Sequence, residues 1–278
     1  MQNCLFFFRM LPVIALLLWP INAAEAQQGC VCNFSDQDEP VPTVDVSSID
    51  QVPTVEQQRP YVLLLPGILG EQIWDRRISL GIQQSGFPCD TEIYDWTNGP
   101  LMMVSNIGGD HGETLKLIRS IHRFRKDFPQ RPLILIGHSG GCRMVVRVLE
   151  ELGDQPLVDR AVLLSPGLES TYDLRQALRG TQSGIVTFYS NLDFPVSAPL
   201  TFAKGITQFR LDASAATFGF KTPRNLNAEE SDIYSRMLIQ RGYRAKMLTS
   251  GNAGGHFGWT VPRFVAGYIV PWLNTQSR

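Results

Sequence analysis

Residues 132–141 read PLILIGHSGG, and the reading of this stretch decides the fold. Leu133 to Ile136 is a continuous apolar run, the pattern of a parallel strand buried on both faces. Cys142, Val145, Val146, Leu149 and Leu152 follow at helical spacing along one face. Between the two, Gly137-His138-Ser139-Gly140-Gly141 fits G-x-S-x-G, so Ser139 is expected at a tight strand-to-helix turn, a nucleophile elbow. So sharp a turn crowds its neighbours, which gives glycine at 137, 140 and 141 a steric reason, and it lifts the serine hydroxyl out of the sheet end. The five-residue pattern is weak alone. The strand before it and the helix after it supply its weight.

Outward from the elbow, apolar runs alternate with helical periods. Tyr61–Leu65 reads as the first strand and runs into the glycine-rich loop Pro66-Gly67-Ile68-Leu69-Gly70. Such a loop is either an ordinary connection or a source of backbone N–H groups facing a site. A helix over Trp74–Ser85, a strand over Thr91–Trp96 and a helix over Glu113–Phe128 precede the elbow strand. After the elbow helix ends at Gly153, the expected elements are a strand over Arg160–Leu164, a helix over Thr171–Leu178 and a strand over Gly184–Tyr189. A helix over Ala228–Gln240, a strand over Ala245–Thr249 and a final helix over Pro262–Leu273 follow. Repeated βα units predict an α/β fold with a mostly parallel sheet and helices on both faces. Only Ser165 to Ser183 separates the strands ending near Leu164 and Tyr189, which excludes a large cap there. The spare residues lie between Asp193 and Ala228 and include Phe202, Phe209, Phe218 and Phe220. They read either as core against the sheet edge or as an apolar wall over a site at the strand ends, with Phe218 and Phe220 as the wall's candidate residues.

The chain has 278 residues, 44% hydrophobic and 18% charged, enough for one large domain. Its 25 Lys and Arg against 26 Asp and Glu give a net charge of −1, and no basic run or aromatic-and-basic stripe points to nucleic acid. A small molecule or lipid suits that balance better. Met1 to Ala26 carries Arg9, an apolar run Met10–Trp19 and a small-residue end, the pattern of a secretory signal cleaved after Ala26. That run is too short to span a bilayer. A lipid at Cys30 competes with this reading, but Gln27 and Gln28 occupy positions where a lipoprotein signal wants an aliphatic and a small residue. The expected organisation is therefore a signal over 1–26, an extended polar arm over 27–60 and one domain over 61–278, secreted or periplasmic. Of the remaining cysteines, Cys142 is expected as a buried thiol, and Cys89 can pair with Cys30 or Cys32. No second Cys or His pair at zinc spacing exists, so no metal is predicted.

In parallel sheets, ligand chemistry collects beyond the C-terminal strand ends. Ser139, Asp193 and His256 each follow such an end. A serine hydroxyl needs a base in reach and a carboxylate to hold that base in the right tautomer. Four histidines exist. His256 sits in the glycine-rich loop past the last expected strand, His138 is poorly aimed beside the nucleophile, His122 lies in a charged helix and His111 on a loop. Asp193 follows its strand within a few residues and otherwise reads as a turn or cap residue; Asp159 precedes its strand.

Through LLLPGILG (63–70), GHSGG (137–141), YSNLD (189–193) and GGHFGW (254–259), the chain resembles the α/β-hydrolase family, especially its serine esterases and lipases. The resemblance runs from about Tyr61 to Leu273. It implies Ser139 as nucleophile, His256 as base and later acid, and Asp193 as the group orienting the imidazole. It also implies an oxyanion hole made of the backbone N–H groups of Gly140 and Ile68. One departure is Pro66, where many lipases carry histidine before the glycine, and this bears on the second donor. The expected activity is hydrolysis of small-molecule or lipid carboxylic esters through an acyl-enzyme, without a cofactor. Lipase, thioesterase and amidase chemistry share the same triad, and a non-catalytic binding module sharing the fold is the alternative of a different class.

Overall fold

The computed structural model describes residues 59–97, 111–193 and 214–274, all within one compact unit, Val31–Arg278. The signal and the arm, apart from Arg59 and Pro60, lie outside the described residues. Six strands pair in parallel: β1 (Tyr61–Leu65), β2 (Asp90–Ile93), β3 (Leu133–His138), β4 (Arg160–Leu164), β5 (Ile185–Tyr189) and β6 (Leu238–Gly242). Their order is β2-β1-β3-β4-β5-β6. Between β1 and β3 the chain changes direction across the sheet, so the loops leaving these two strands part and open a crevice at their C-terminal ends. The register Leu65↔Gly137 puts Pro66–Gly70 beside the elbow.

Alternation along each strand splits the apolar residues between two cores. Leu63, Leu65, Leu133, Leu135 and Leu163 face α2 (His111–Asp127), α3 (Gly141–Leu152) and α4 (Arg175–Arg179). Val62, Leu64, Ile134, Ile136 and Val162 face α1 (Ile73–Gln84) and the C-terminal helical segment. Each such side chain, taken fully out of water, contributes about 1.5–3 kcal/mol. This two-sided burial is why the strands read as unbroken apolar runs. Between β4 and β5 stands only the short α4, in agreement with the expected lack of a large cap.

Several elements differ from expectation. Residues 245–250 form a 3-10 helix and not a strand, and the last strand is β6, whose residues read from sequence as the end of the helix beginning at Ala228. That helix, α6 (Ala228–Met237, after the short α5, Ala215–Phe218), ends where Leu238 turns extended and the backbone pairs with β5. Without β6, the open backbone edge of the largely buried β5 would lack partners, so ladder bonds override helical periodicity here. The helix expected from Thr171 begins only at Arg175: Asp173 accepts the Arg175 backbone N–H at 3.0 Å, and the Leu174 N–H goes to the Tyr234 hydroxyl at 2.7 Å. The expected final helix is α7 (Pro262–Phe264), a π segment over Val265–Ile269 and a 3-10 turn over Val270–Trp272. Pro271, lacking an N–H, cannot continue a regular α ladder. Cys142 is a buried thiol, as expected, with burial pushing it well up from its ordinary pKa. Among the described residues Cys89 is also a free thiol, half-buried with its Sγ 3.7 Å from the Thr91 hydroxyl; its candidate partners Cys30 and Cys32 lie outside the described residues.

Candidate active site

At the end of β3 the backbone turns through Ser139 at φ 54°, the left-handed region rarely used by non-glycine residues. Three backbone bonds hold it there. The Ser139 N–H goes to Leu164 O at 2.9 Å, and Ser139 O accepts from Cys142 N at 3.2 Å and Gly167 N at 3.0 Å. Glycine is required by close approach: a Cβ on Gly141 would run into the carbonyls of Leu65 and Pro66, and one on Gly140 into Ile68 Cγ2. The elbow is thus wedged against the loop leaving β1, in the crevice that the strand order opens.

That loop is itself latched. Pro66 O accepts the indole N–H of buried Trp96 at 2.8 Å, and Gly70 N closes a turn onto Gly67 O at 3.1 Å. A Cβ built on Gly140 would stand 3.1 Å from Ile68 N, so the two proposed donors lie side by side. Among the described residues, neither the Ile68 N–H nor the Gly140 N–H is engaged by a hydrogen-bond partner. Pro66 thus gives the loop a rigid turn anchored by Trp96.

Asp193 closes the 3-10 turn Asn191–Asp193 just past β5, its N–H bonded to Ser190 O at 2.9 Å. His256 comes fourteen residues after β6 and not directly after a strand, yet it reaches the same end of the sheet. Its loop is braced by fully buried Asn252, whose Oδ1 accepts Gly254 N at 2.8 Å, and by Ser165, whose hydroxyl donates to His256 O at 3.4 Å. His256 Nδ1 meets Asp193 Oδ1 at 2.8 Å, and both residues are buried. The His256 ring centroid lies 5.4 Å from that of His138, the residue before Ser139, which brings the imidazole to the elbow.

Residues not anticipated from sequence complete the surroundings. His138 Nδ1 stands 3.2 Å from Oδ1 of Asp75 in α1, both buried, while Asp75 Oδ2 accepts Gln72 N at 2.9 Å. Asp75 lies in the first turn of a helix, where a carboxylate reads as an ordinary cap, and no local signal ties it to position 138. Among the described residues Ser165 is the second non-glycine residue at positive φ, 48°, and it precedes Pro166. Of the remaining histidines, His111 opens α2 and His122 lies on it, both exposed. Among the described residues no three His, Cys, Asp or Glu side chains form a metal-holding group.

No curated protein matches the sequence. Solved structures that resemble it include a cutinase-like protein from Cryptococcus sp. (15% identity, covering 74% of this chain and 89% of that one, TM-score 0.40). An α/β serine hydrolase without lid from Xanthomonas campestris is 11% identical, with 78% and 84% covered and a TM-score of 0.43. Est1E from Butyrivibrio proteoclasticus is 10% identical, with 77% and 88% covered and a TM-score of 0.44. Residues 79–250 match the family described as alpha/beta hydrolase fold. With that match spanning more than half of the 278 residues, and with a parallel sheet flanked by helices, the chain belongs to the alpha/beta hydrolase fold family.

Proposed function

We propose that this hydrolase-fold chain cleaves carboxylic esters through an acyl-enzyme on Ser139. The observation that carries the reading is the buried His256–Asp193 pair, closed at 2.8 Å beside an elbow that holds Ser139 at positive φ. Asp193 fixes the imidazole with its proton on Nδ1, so that Nε2 is left as the base. As Ser139 Oγ adds to the ester carbonyl carbon, Nε2 takes the hydroxyl proton, and the C=O electron pair moves onto oxygen. That oxyanion accepts from the N–H groups of Gly140 and Ile68, two donors already unengaged and adjacent. On collapse the C–O bond to the alcohol breaks, and the leaving oxygen receives the proton from His256. Water then repeats the sequence on the acyl-serine and releases the acid.

Export with cleavage after Ala26, without lipid at Cys30, belongs to the same proposal; among the described residues no helix is long and apolar enough to cross a membrane. The test is hydrolysis of chromogenic esters of increasing acyl length together with labelling by a fluorophosphonate. Ser139→Ala and His256→Ala are expected to lose several orders of magnitude in turnover with folding retained, and Asp193→Asn about 10⁴-fold, because it presents the wrong hydrogen-bond partner to Nδ1. Absence of labelling on the folded protein would turn the reading into a binding module.

A further inference from the structure

On the outer edge of the sheet, away from Ser139, the end of β6 and the C-terminal helical segment enclose a cavity of about 290 Å³. Arg241, Arg244 and Lys246 line it from one side, and Tyr268 and Trp272 from the other. No carboxylate contributes to the lining. Among the described residues, none of the three cations makes an ion pair or a side-chain hydrogen bond, in contrast to several other surface cations. Arg76 is paired with Glu71, Arg175 with Asp173 and Glu230, and Arg236 with Asp232. In a chain whose net charge is −1, three uncompensated cations on one concavity are a local arrangement and not the product of general basicity.

One of the three is also held in place. The Arg241 guanidinium lies 4.8 Å from the centroid of the Trp272 ring, which is only 8% exposed, so a buried aromatic face supports it while its N–H fork stays available. A guanidinium restrained in this way loses less freedom on binding a planar or tetrahedral oxyanion than a free one. The volume is at the lower end for ligand sites, about 300 Å³, which suits a small molecule better than a polymer.

We propose that this cavity binds a small organic oxyanion, a phosphate or carboxylate borne on an apolar or aromatic body, with Arg241, Arg244 and Lys246 on the anionic group and Tyr268 and Trp272 against the body. The wall carrying Lys246 continues into the His256 loop through Met247, whose carbonyl accepts Asn252 N at 3.3 Å, but no lining residue belongs to the proposed triad.

Isothermal titration of the full chain with phenylphosphonate, inorganic phosphate and benzyl alcohol tests the assignment. Saturable binding of phenylphosphonate is expected, unchanged in Ser139→Ala, weakened by added salt, and about tenfold weaker in each of Arg241→Gln, Arg244→Gln and Lys246→Gln. Inorganic phosphate should bind more weakly and benzyl alcohol not measurably. All three cations are exposed, so the variants should melt with the wild type. Failure of phenylphosphonate to bind, equal affinity in the triple glutamine variant, or loss of binding in Ser139→Ala would overturn the proposal. So would capture by phosphatidic acid vesicles without binding of the soluble phosphonate, since the anion would then belong to a lipid surface.

Discussion

The rings of His138 and His256 lie 5.4 Å apart, centroid to centroid, and each carries its own buried carboxylate. Asp193 serves His256, and Asp75 serves His138. Phe257 completes the cluster, its ring 5.0 Å from His256, 6.0 Å from His138 and 4.5 Å from Trp74 of α1. The imidazole proposed as the base therefore rests on a packed aromatic layer whose other member is pinned to α1.

Removing that pin should loosen the layer. Asp75→Ala strands the Gln72 N–H and His138 Nδ1, and a loss of about 1–3 kcal/mol per orphaned buried group is expected by urea denaturation. Ester turnover should fall by about a hundredfold through misplacement of His256, with Asp75→Asn, which keeps an acceptor, recovering most of it. Wild-type turnover in a destabilised Asp75→Ala protein would restrict the pair to a structural role.

Gly140→Ala probes the crevice between β1 and β3. The new methyl group would collide with Ile68 Cγ2 and push the Pro66–Leu69 loop from the elbow. Stability should drop by about 1–3 kcal/mol and turnover by about 10²–10³-fold, with KM changing less. Unimpaired turnover would remove the Ile68 N–H from the oxyanion reading.

Phe218 and Phe220 were both candidates for an apolar wall over the acyl site, and the structure separates them. Phe220 is buried in the core with Tyr234, its N–H and C=O clasped by the Gln240 amide at 2.7 and 2.8 Å, whereas Phe218 is 45% exposed. Phe220→Ala should cost about 3–5 kcal/mol, read as a fall in Tm, and Phe218→Ala about 0.5 kcal/mol or less. A shift in acyl-length preference is then expected from Phe218→Ala alone. Equal Tm for the two variants would contradict the separation.

At the start of α6, the Asn227 backbone N–H and the Arg175 guanidinium hold the Glu230 carboxyl below the usual carboxylate range. Because the folded-state value is depressed, its stabilisation is present above the unfolded value of about 4.3 and is lost as pH falls through the folded one. The Tm difference between wild type and Glu230→Gln should thus be open at neutral pH and close as the pH falls below the unfolded value and through the folded one. A difference independent of pH would show that the carboxylate's charge contributes nothing.

The sequence by itself determined the elements whose cause is local. Leu133–Ile136, the glycines of the elbow and the facing residues of α3 lie within twenty positions, and two-sided burial writes β1 and most of β4 and β5 as apolar runs. Ser139 and Asp193 were legible as candidates because each follows a run of that kind, whereas His256 was read as following a strand over Ala245–Thr249 that is a 3-10 helix in the structure. Tertiary structure alone decided β6, since Leu238–Gly242 reads as helix until the open edge of β5 supplies hydrogen-bond partners. It alone decided that Phe220 enters the core while Phe218 faces out, two residues apart with the same side chain. It also decided the pairing of His138 with Asp75, 63 residues away, and the gathering of Arg241, Arg244 and Lys246 opposite Trp272. Periodicity records which face of an element is covered; it carries no information about what covers it, and charge and hydrogen-bond partners are fixed only when distant elements pack.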